Sequence, residues 1–290
     1  MTEARVETQR ASDGYPLVVR VWPTIGVPRA RIVVLHGVQS HGGWYHGLGE
    51  TLSAAGFEVH FPDRRGSGSN QLDRGHCPSA RRLISDVAER LKTLKDESPR
   101  TPIALAGISW GGKTALVTAA NHPDLVDSLS LICPGLLPRV GVSRGERLAI
   151  AWAYFTNRRR TFPIPLSDPA LFTASLEGRR FIAADPLALR RASAGLLAAS
   201  TFIDRWVRQA PRRVTQPALL MLGGRDRIVD NAKTRAYFDR LASRDKSVIE
   251  YPDAHHTLEF EPDPTRYAQD LAHWLDSRAR IINYVDVKTD

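Results

Sequence analysis

Short apolar runs alternate with amphipathic stretches of helical length along most of this 290-residue chain. Arg31-Ile32-Val33-Val34-Leu35 is a buried-strand pattern, and His46 to Ala55 then reads as a helix closed by Gly56, where a C-terminal glycine sits. Phe57 to Phe61 is the next strand. Pro78 to Glu97 places Leu83, Ile84, Val87, Leu91 and Leu94 at helical spacing, with a charged opposite face. Strand 102–108, helix 111–121 and strand 126–132 continue the alternation. It resumes at strand 218–222, helix 231–242, strand 247–251 and a last helix over 264–279. Ahead of all this, Arg5 to Arg10 and Leu17 to Trp22 flank Asp13-Gly14, a hairpin turn signal.

Strands separated by helices of this length dictate a mostly parallel sheet covered on both faces, because each crossover must return to the same edge. The class is therefore α/β, with the two alternating runs of the hairpin ahead of the apolar strands. Between Pro134 and about Gln216 the strand pattern disappears and helical stretches punctuated by Phe162-Pro163-Ile164-Pro165 take over. The expected organisation is a core of residues 1–136 and 217–290 with an inserted helical cap at 137–216.

The charge sits in that insertion. The chain carries 40 basic and 31 acidic side chains, a formal charge of +9. Residues 137–216 hold fourteen arginines, no lysine and five acids, so the insertion contains the whole excess. Such a surface can attract an anionic lipid interface, or it can simply be a solvated helical face. No helix-turn-helix, RRM, KH or zinc-finger pattern accompanies it, which argues against a nucleic-acid partner. No run of about 18 apolar residues could span a membrane. The start, Met1 to Glu7, is charged and lacks the apolar region of a signal peptide, so a cytoplasmic location is expected. Cys77 and Cys133 are too few for a disulfide framework or a cysteine metal site. His36, His41 and His46 recur at five-residue intervals without a carboxylate or cysteine to complete a metal set, and Gly66-Ser67-Gly68-Ser69 lacks the lysine of a P-loop. No metal or other cofactor is expected.

Gly107-Ile108-Ser109-Trp110-Gly111 fits G-x-S-x-G. By composition alone a chain this long meets that pattern roughly one time in ten, but here an apolar strand runs into it and a helix follows at once. That strand–turn–helix exposes a serine hydroxyl at the top of a sheet. A serine nucleophile needs a base, and the base needs an orienting carboxylate. His255 and His256 follow the last strand, at the carboxyl edge where Ser109 also lies. Gly223-Gly224-Arg225-Asp226 supplies the acid from the preceding strand, with Asp230 as the alternative. The order Ser, Asp, His is that of G-x-S-x-G hydrolases. The oxyanion hole requires two backbone N–H groups; Trp110, first in the helix, and Val38, in the loop after Leu35, are placed to supply them. His36 reads as structural, bonding loop backbone.

These motifs resemble those of the α/β-hydrolase superfamily, in particular its monoacylglycerol lipase, lysophospholipase and serine-aminopeptidase-like branch. His36-Gly37 with Ser40-His41-Gly42-Gly43-Trp44-Tyr45 is similar to that branch's H-G-x-x-x-H-x-x-x-Y loop. Asp63 to Ser69 is similar to its D-x-R-G-x-G-x-S turn, and Asp226 with Ile228-Val229 to its D-x-I-V motif. His256-Thr257-Leu258 with Glu261 resembles H-x-L-x-x-E, which selects His256 over His255 as the base. Phe181 to Leu187 resembles part of the cap. The resemblance implies an eight-stranded α/β-hydrolase fold and a serine hydrolase of lipophilic carboxylic esters, acting through an acyl-enzyme. The alternatives are a carbon–carbon bond hydrolase using the same triad and a ligand-binding receptor on a hydrolase scaffold. Dehalogenases and epoxide hydrolases share the architecture but carry an aspartate where Ser109 stands. Substrate contacts are expected from His41 and from Trp152, Tyr154 and Phe155, whose near-helical spacing would wall the pocket, while the arginines point outward.

Overall fold

The computed structural model describes residues 3–287, with side chains through Ala279; Met1 and Thr2, part of the charged start read above, lie outside the described residues. The first hairpin is β1 (Arg5–Arg10) and β2 (Pro16–Trp22), antiparallel, with Gly14 at φ +83° in the turn. Then come β3 (Arg31–Leu35), α1 (His46–Ala54), β4 (Glu58–Pro62), α2 (Ala80–Glu97), β5 (Ile103–Ile108), α3 (Trp110–Asn121) and β6 (Ser128–Ile132). The inserted stretch holds α4 (Arg144–Thr156), β7 (Thr161–Pro163), α5 (Leu176–Ala184), β8 (Arg191–Ser193) and α6 (Ala194–Gln209). The chain closes with β9 (Ala218–Gly223), α7 (Asn231–Asp239), β10 (Lys246–Tyr251) and α8 (Pro264–Val287).

One sheet has the order β1-β2-β4-β3-β5-β6-β9-β10, antiparallel across β1, β2 and β4 and parallel from β4 to β10. Successive strand residues point to opposite faces, and both faces of the central strands are buried. Val33, Leu35, Leu105, Leu129, Leu131, Leu220 and Leu222 pack toward α2, α3 and α6. Ile32, Val34, Ile108, Leu219 and Met221 face α1 and α8. A sheet buried on both sides explains why these strands read as continuous apolar runs.

The insertion departs from the expectation of helices alone. Thr161–Pro163 pairs antiparallel with Arg191–Ser193, a two-stranded ribbon built around the proline-rich punctuation. Nor is the whole insertion detached from the core. Leu196, Ala199, Ile203 and Val207 of α6 share a hydrophobic cluster with Leu83 and Leu116, and Lys113 pairs with Asp204 at 2.6 Å. Of the fourteen arginines in the insertion thirteen are exposed, and Arg179 is half-buried. Unpaired burial would cost several kcal/mol each. Among the described residues no helix is long and apolar enough to cross a membrane.

Candidate active site

Ser109 stands at the carboxyl end of β5, near the middle of the sheet, at φ +53° and ψ −121°. For a residue with a Cβ this conformation is strained by about 1–3 kcal/mol. The flanking glycines let the turn close. A Cβ on Gly107 would come within 2.6 Å of the Gly111 carbonyl, and one on Gly111 would overlap the Leu35 carbonyl. The helix start is thereby drawn against the end of β3, which brings the loop after β3 beside Ser109.

The sheet order then collects the partners. β9 and β10 end at the same edge, and the loops beyond them carry Asp226 and His256. His256 Nε2 lies 2.8 Å from Ser109 Oγ and Nδ1 lies 2.7 Å from Asp226 Oδ2. With the proton on Nδ1, the imidazole donates to Asp226 and accepts from Ser109. Asp226 is buried and its other oxygen accepts from the Ile228 and Val229 N–H groups at 2.7 and 2.9 Å. Those bonds fix the orientation of the carboxylate. Asp230, the alternative acid, instead caps α7 by accepting from Lys233 N. His255 is held elsewhere, its N–H and Nδ1 both at Glu261 Oε1 (3.0 and 3.2 Å).

The loop after β3 is braced from several sides. Ser40 Oγ accepts from Gly37 N at 2.9 Å and from the Tyr45 hydroxyl at 3.1 Å. His36 Nδ1 is 2.7 Å from the Gly37 carbonyl and its Nε2 accepts from Arg64 N at 2.8 Å. Burial, reinforced by the neighbouring Arg64 charge, pushes the His36 pKa down to about 3, so the ring is neutral and serves as a backbone brace. The Val38 and Trp110 N–H groups donate to no other group among the described residues. They are left available for an oxygen beside Ser109 Oγ.

A tight cleft over Ser109 is lined by Val38, Ser40, Tyr45, Leu166, Phe172 and His256, and its free volume is about 10 Å³. That is room for one water molecule. Two of its walls, Leu166 and Phe172, come from the insertion. Phe172 packs edge-on to the His256 ring at 6.1 Å, and its carbonyl accepts from Thr257 N. Neither wall was foreseen, because the irregular, proline-rich stretch around them carries no periodicity to read.

The expected aromatic wall is corrected. Trp152 and Phe155 are 68% and 83% exposed, and Tyr154 packs in a separate small cluster with Ala153, Phe162 and Ala194. None of the three lines the cleft over Ser109. The reason is the opposite face of α4: Ala149 and Ala153 are small enough to let α4 lie close on α6, so its large side chains are turned outward. His41 is likewise not at the cleft. Its Nδ1 accepts from Gly43 N at 3.0 Å and its Nε2 lies 3.1 Å from Asp185, which also accepts from Trp44 Nε1 at 2.6 Å. His41 thus fastens the core loop to the end of α5. Cys77 and Cys133 are buried free thiols. Among the described residues no cluster of three or more His, Cys, Asp or Glu side chains could hold a metal ion.

A serine hydroxyl, an imidazole bonded to a buried carboxylate and two N–H groups without partners among the described residues match the arrangement used for acyl transfer. A family model described as serine aminopeptidase, S33 matches residues 26–263. The chain is 26% identical over 266 residues to the monoacylglycerol lipase of Mycolicibacterium smegmatis, covering 91% of this chain and 94% of that one. It is 30% identical over 267 residues to the pimeloyl-[acyl-carrier protein] methyl ester esterase of Chromobacterium violaceum, covering 86% and 95%. Among solved structures, the Paleococcus ferrophilus monoacylglycerol lipase superposes with a TM-score of 0.81 at 26% identity, covering 90% of this chain and 99% of that one.

Proposed function

Because this chain belongs to the serine aminopeptidase S33 family of α/β-hydrolases and is a hydrolase, we propose that it cleaves carboxylic esters of lipophilic acyl groups through a serine acyl-enzyme. The observation that carries this reading is the continuous hydrogen-bonded line Ser109–His256–Asp226, with both spacings under 3 Å. Ser109 Oγ attacks the ester carbonyl while His256 Nε2 takes its proton. The tetrahedral oxyanion is held by the N–H groups of Val38 and Trp110. His256 returns the proton to the departing alcohol, leaving an acyl-serine. Water, deprotonated by the same imidazole, then releases the acid. Asp226 stabilises the imidazolium throughout without itself taking the proton.

The substrate class is argued from the cleft and from the relatives. Its insertion-side walls, Leu166 and Phe172, are apolar, and the similar proteins act on monoacylglycerols and on a methyl ester. A free volume near 10 Å³ admits no acyl chain, so the cap, residues 137–216, opens to admit substrate, with α6 as its anchored root. A panel of p-nitrophenyl esters of rising acyl length, run beside a ring-cleavage dienoate, tests the reading. Ester turnover in the absence of dienoate cleavage is the expected result. Dienoate cleavage without ester turnover would favour the carbon–carbon hydrolase, and neither activity would favour a receptor.

The cap also has a surface suited to an anionic bilayer. Leu148, Trp152 and Phe155 fall on one helical face of α4, all strongly exposed, and Arg144, Arg147, Arg158, Arg159 and Arg160 lie on that helix or directly after it. Exposed aromatics beside arginines form an interfacial anchor. Binding to anionic vesicles should fall steeply between low and physiological salt while turnover of a short soluble ester barely changes. Equal binding to neutral vesicles would rule out a role for the charge.

A further inference from the structure

We propose that Arg64 is a positioning residue for the oxyanion hole: its guanidinium grips and polarises the Gly37–Val38 amide and braces Trp110, so that one cation serves both N–H donors. The proposal rests on the serine-hydrolase reading above and extends it to a residue outside the triad and the hole.

The geometry is specific. Arg64 Nη1 donates to the Gly37 carbonyl at 3.1 Å and Nη2 donates to the Val38 carbonyl at 2.9 Å. The fork therefore spans two successive peptides of the loop. Its Cζ lies 4.8 Å from the centroid of the Trp110 ring, and Trp110 supplies the second N–H. The Gly37 carbonyl and the Val38 N–H are two ends of one amide. A charge-assisted bond to the oxygen draws electron density from the nitrogen and strengthens the N–H as a donor. His36 Nδ1, 2.7 Å from the same oxygen, adds a second, neutral donor.

The charge is available for this purpose. Arg64 forms no ion pair among the described residues, unlike its neighbour Arg65, which is bound bidentately by Asp86. Burial lowers the Arg64 pKa to about 10, which still leaves it cationic at neutral pH. Its Nε is buried without a partner. A cation held here by carbonyls and an aromatic ring, with no carboxylate in contact, keeps part of its desolvation cost. An anion forming across the Val38 amide compensates that cost only in the tetrahedral state, which is the condition for lowering a barrier.

The test compares wild type with Arg64→Met, Arg64→Gln and Arg64→Lys, using p-nitrophenyl butyrate for kcat and KM and butane-1-boronic acid as a tetrahedral anionic analogue. Loss of one direct donor costs about 10²–10³ in kcat; acting through a donor, Arg64→Met should cost about 10–100-fold in kcat with KM within about twofold. Boronic acid affinity should fall by the same factor as kcat, and Arg64→Lys should recover part of both. Arg64→Gln, which keeps amide donors without the charge, guards against misfolding of the Met variant and should resemble it where that folds. Wild-type kcat and boronate affinity in a folded Gln or Met variant would overturn the proposal, as would losses confined to KM. A wild-type protein that neither turns over the ester nor binds the boronate would instead overturn the serine-hydrolase reading itself.

Discussion

Ser109→Ala should lower kcat for a soluble ester by about 10⁶-fold and leave the melting temperature nearly unchanged. The hydroxyl makes one side-chain bond, to His256 Nε2, so little packing is lost with it. The turn conformation at φ +53° is as strained for Ala as for Ser, and the surrounding chain imposes it. Gly112 N donates to the Ser109 carbonyl at 2.9 Å, Gly135 N to the same oxygen at 2.7 Å, and Ser109 N donates to the Ile132 carbonyl. All three bonds survive the substitution. Turnover and differential scanning calorimetry on the same homogeneous preparation decide the matter. Wild-type-like turnover would remove Ser109 from the mechanism, whereas a collapsed melting temperature would make the loss uninformative about chemistry and call for Ser109→Cys.

His256→Ala should be as damaging as Ser109→Ala, whereas His255→Ala should stay within several-fold of wild type. The adjacent histidines differ in what holds them. His256 reaches Ser109 and Asp226 at once, while both bonds of His255 go to Glu261. Removing His255 loosens the loop that aims its neighbour, hence the small loss. Asp226→Asn should fall between, at about 10⁴-fold. An Asn can still accept from Ile228 and Val229, but it favours the wrong imidazole tautomer. Steady-state kinetics of the three variants on one ester would settle the register, and a dead His255→Ala beside a mild His256→Ala would shift it by one.

Most of the frame was legible because its causes are local. A strand buried on both faces is built mainly of apolar residues, so β3, β5 and β9 are plain in the sequence, and Asp13-Gly14 marks the hairpin. The G-x-S-x-G turn was readable because only glycine tolerates the backbone approaches at 107 and 111. His36 was read as a loop brace, and it bonds the Gly37 carbonyl and the Arg64 N–H. For His255 and His256 the spacing alone left two choices, and resemblance to a motif chose between them.

The inserted stretch behaved differently. Helical periodicity places Leu148, Trp152 and Phe155 on one stripe of α4, but the same stripe results whether it faces a pocket or solvent. Which side is covered depends on a partner, here α6, and α6 fits the alanine side. Three-residue strands such as β7 and β8 are too short to carry a period, so the ribbon was invisible. His41 sits in a motif, yet its partner Asp185 is 144 positions away, and no spacing rule links them.

The α/β class, the eight strands of the main sheet, the turn that presents Ser109 and the concentration of net charge in the insertion were therefore legible in the sequence. Each follows from burial of a side chain by its own element or from the dihedral a single residue can adopt. The tertiary structure alone decided which loops meet: the seating of Phe172 on His256, the fastening of His41 to Asp185 and the grip of Arg64 on the loop after β3. Those contacts join segments 26 to 144 residues apart, and their geometry is set by strand order and loop closure, which no local pattern encodes.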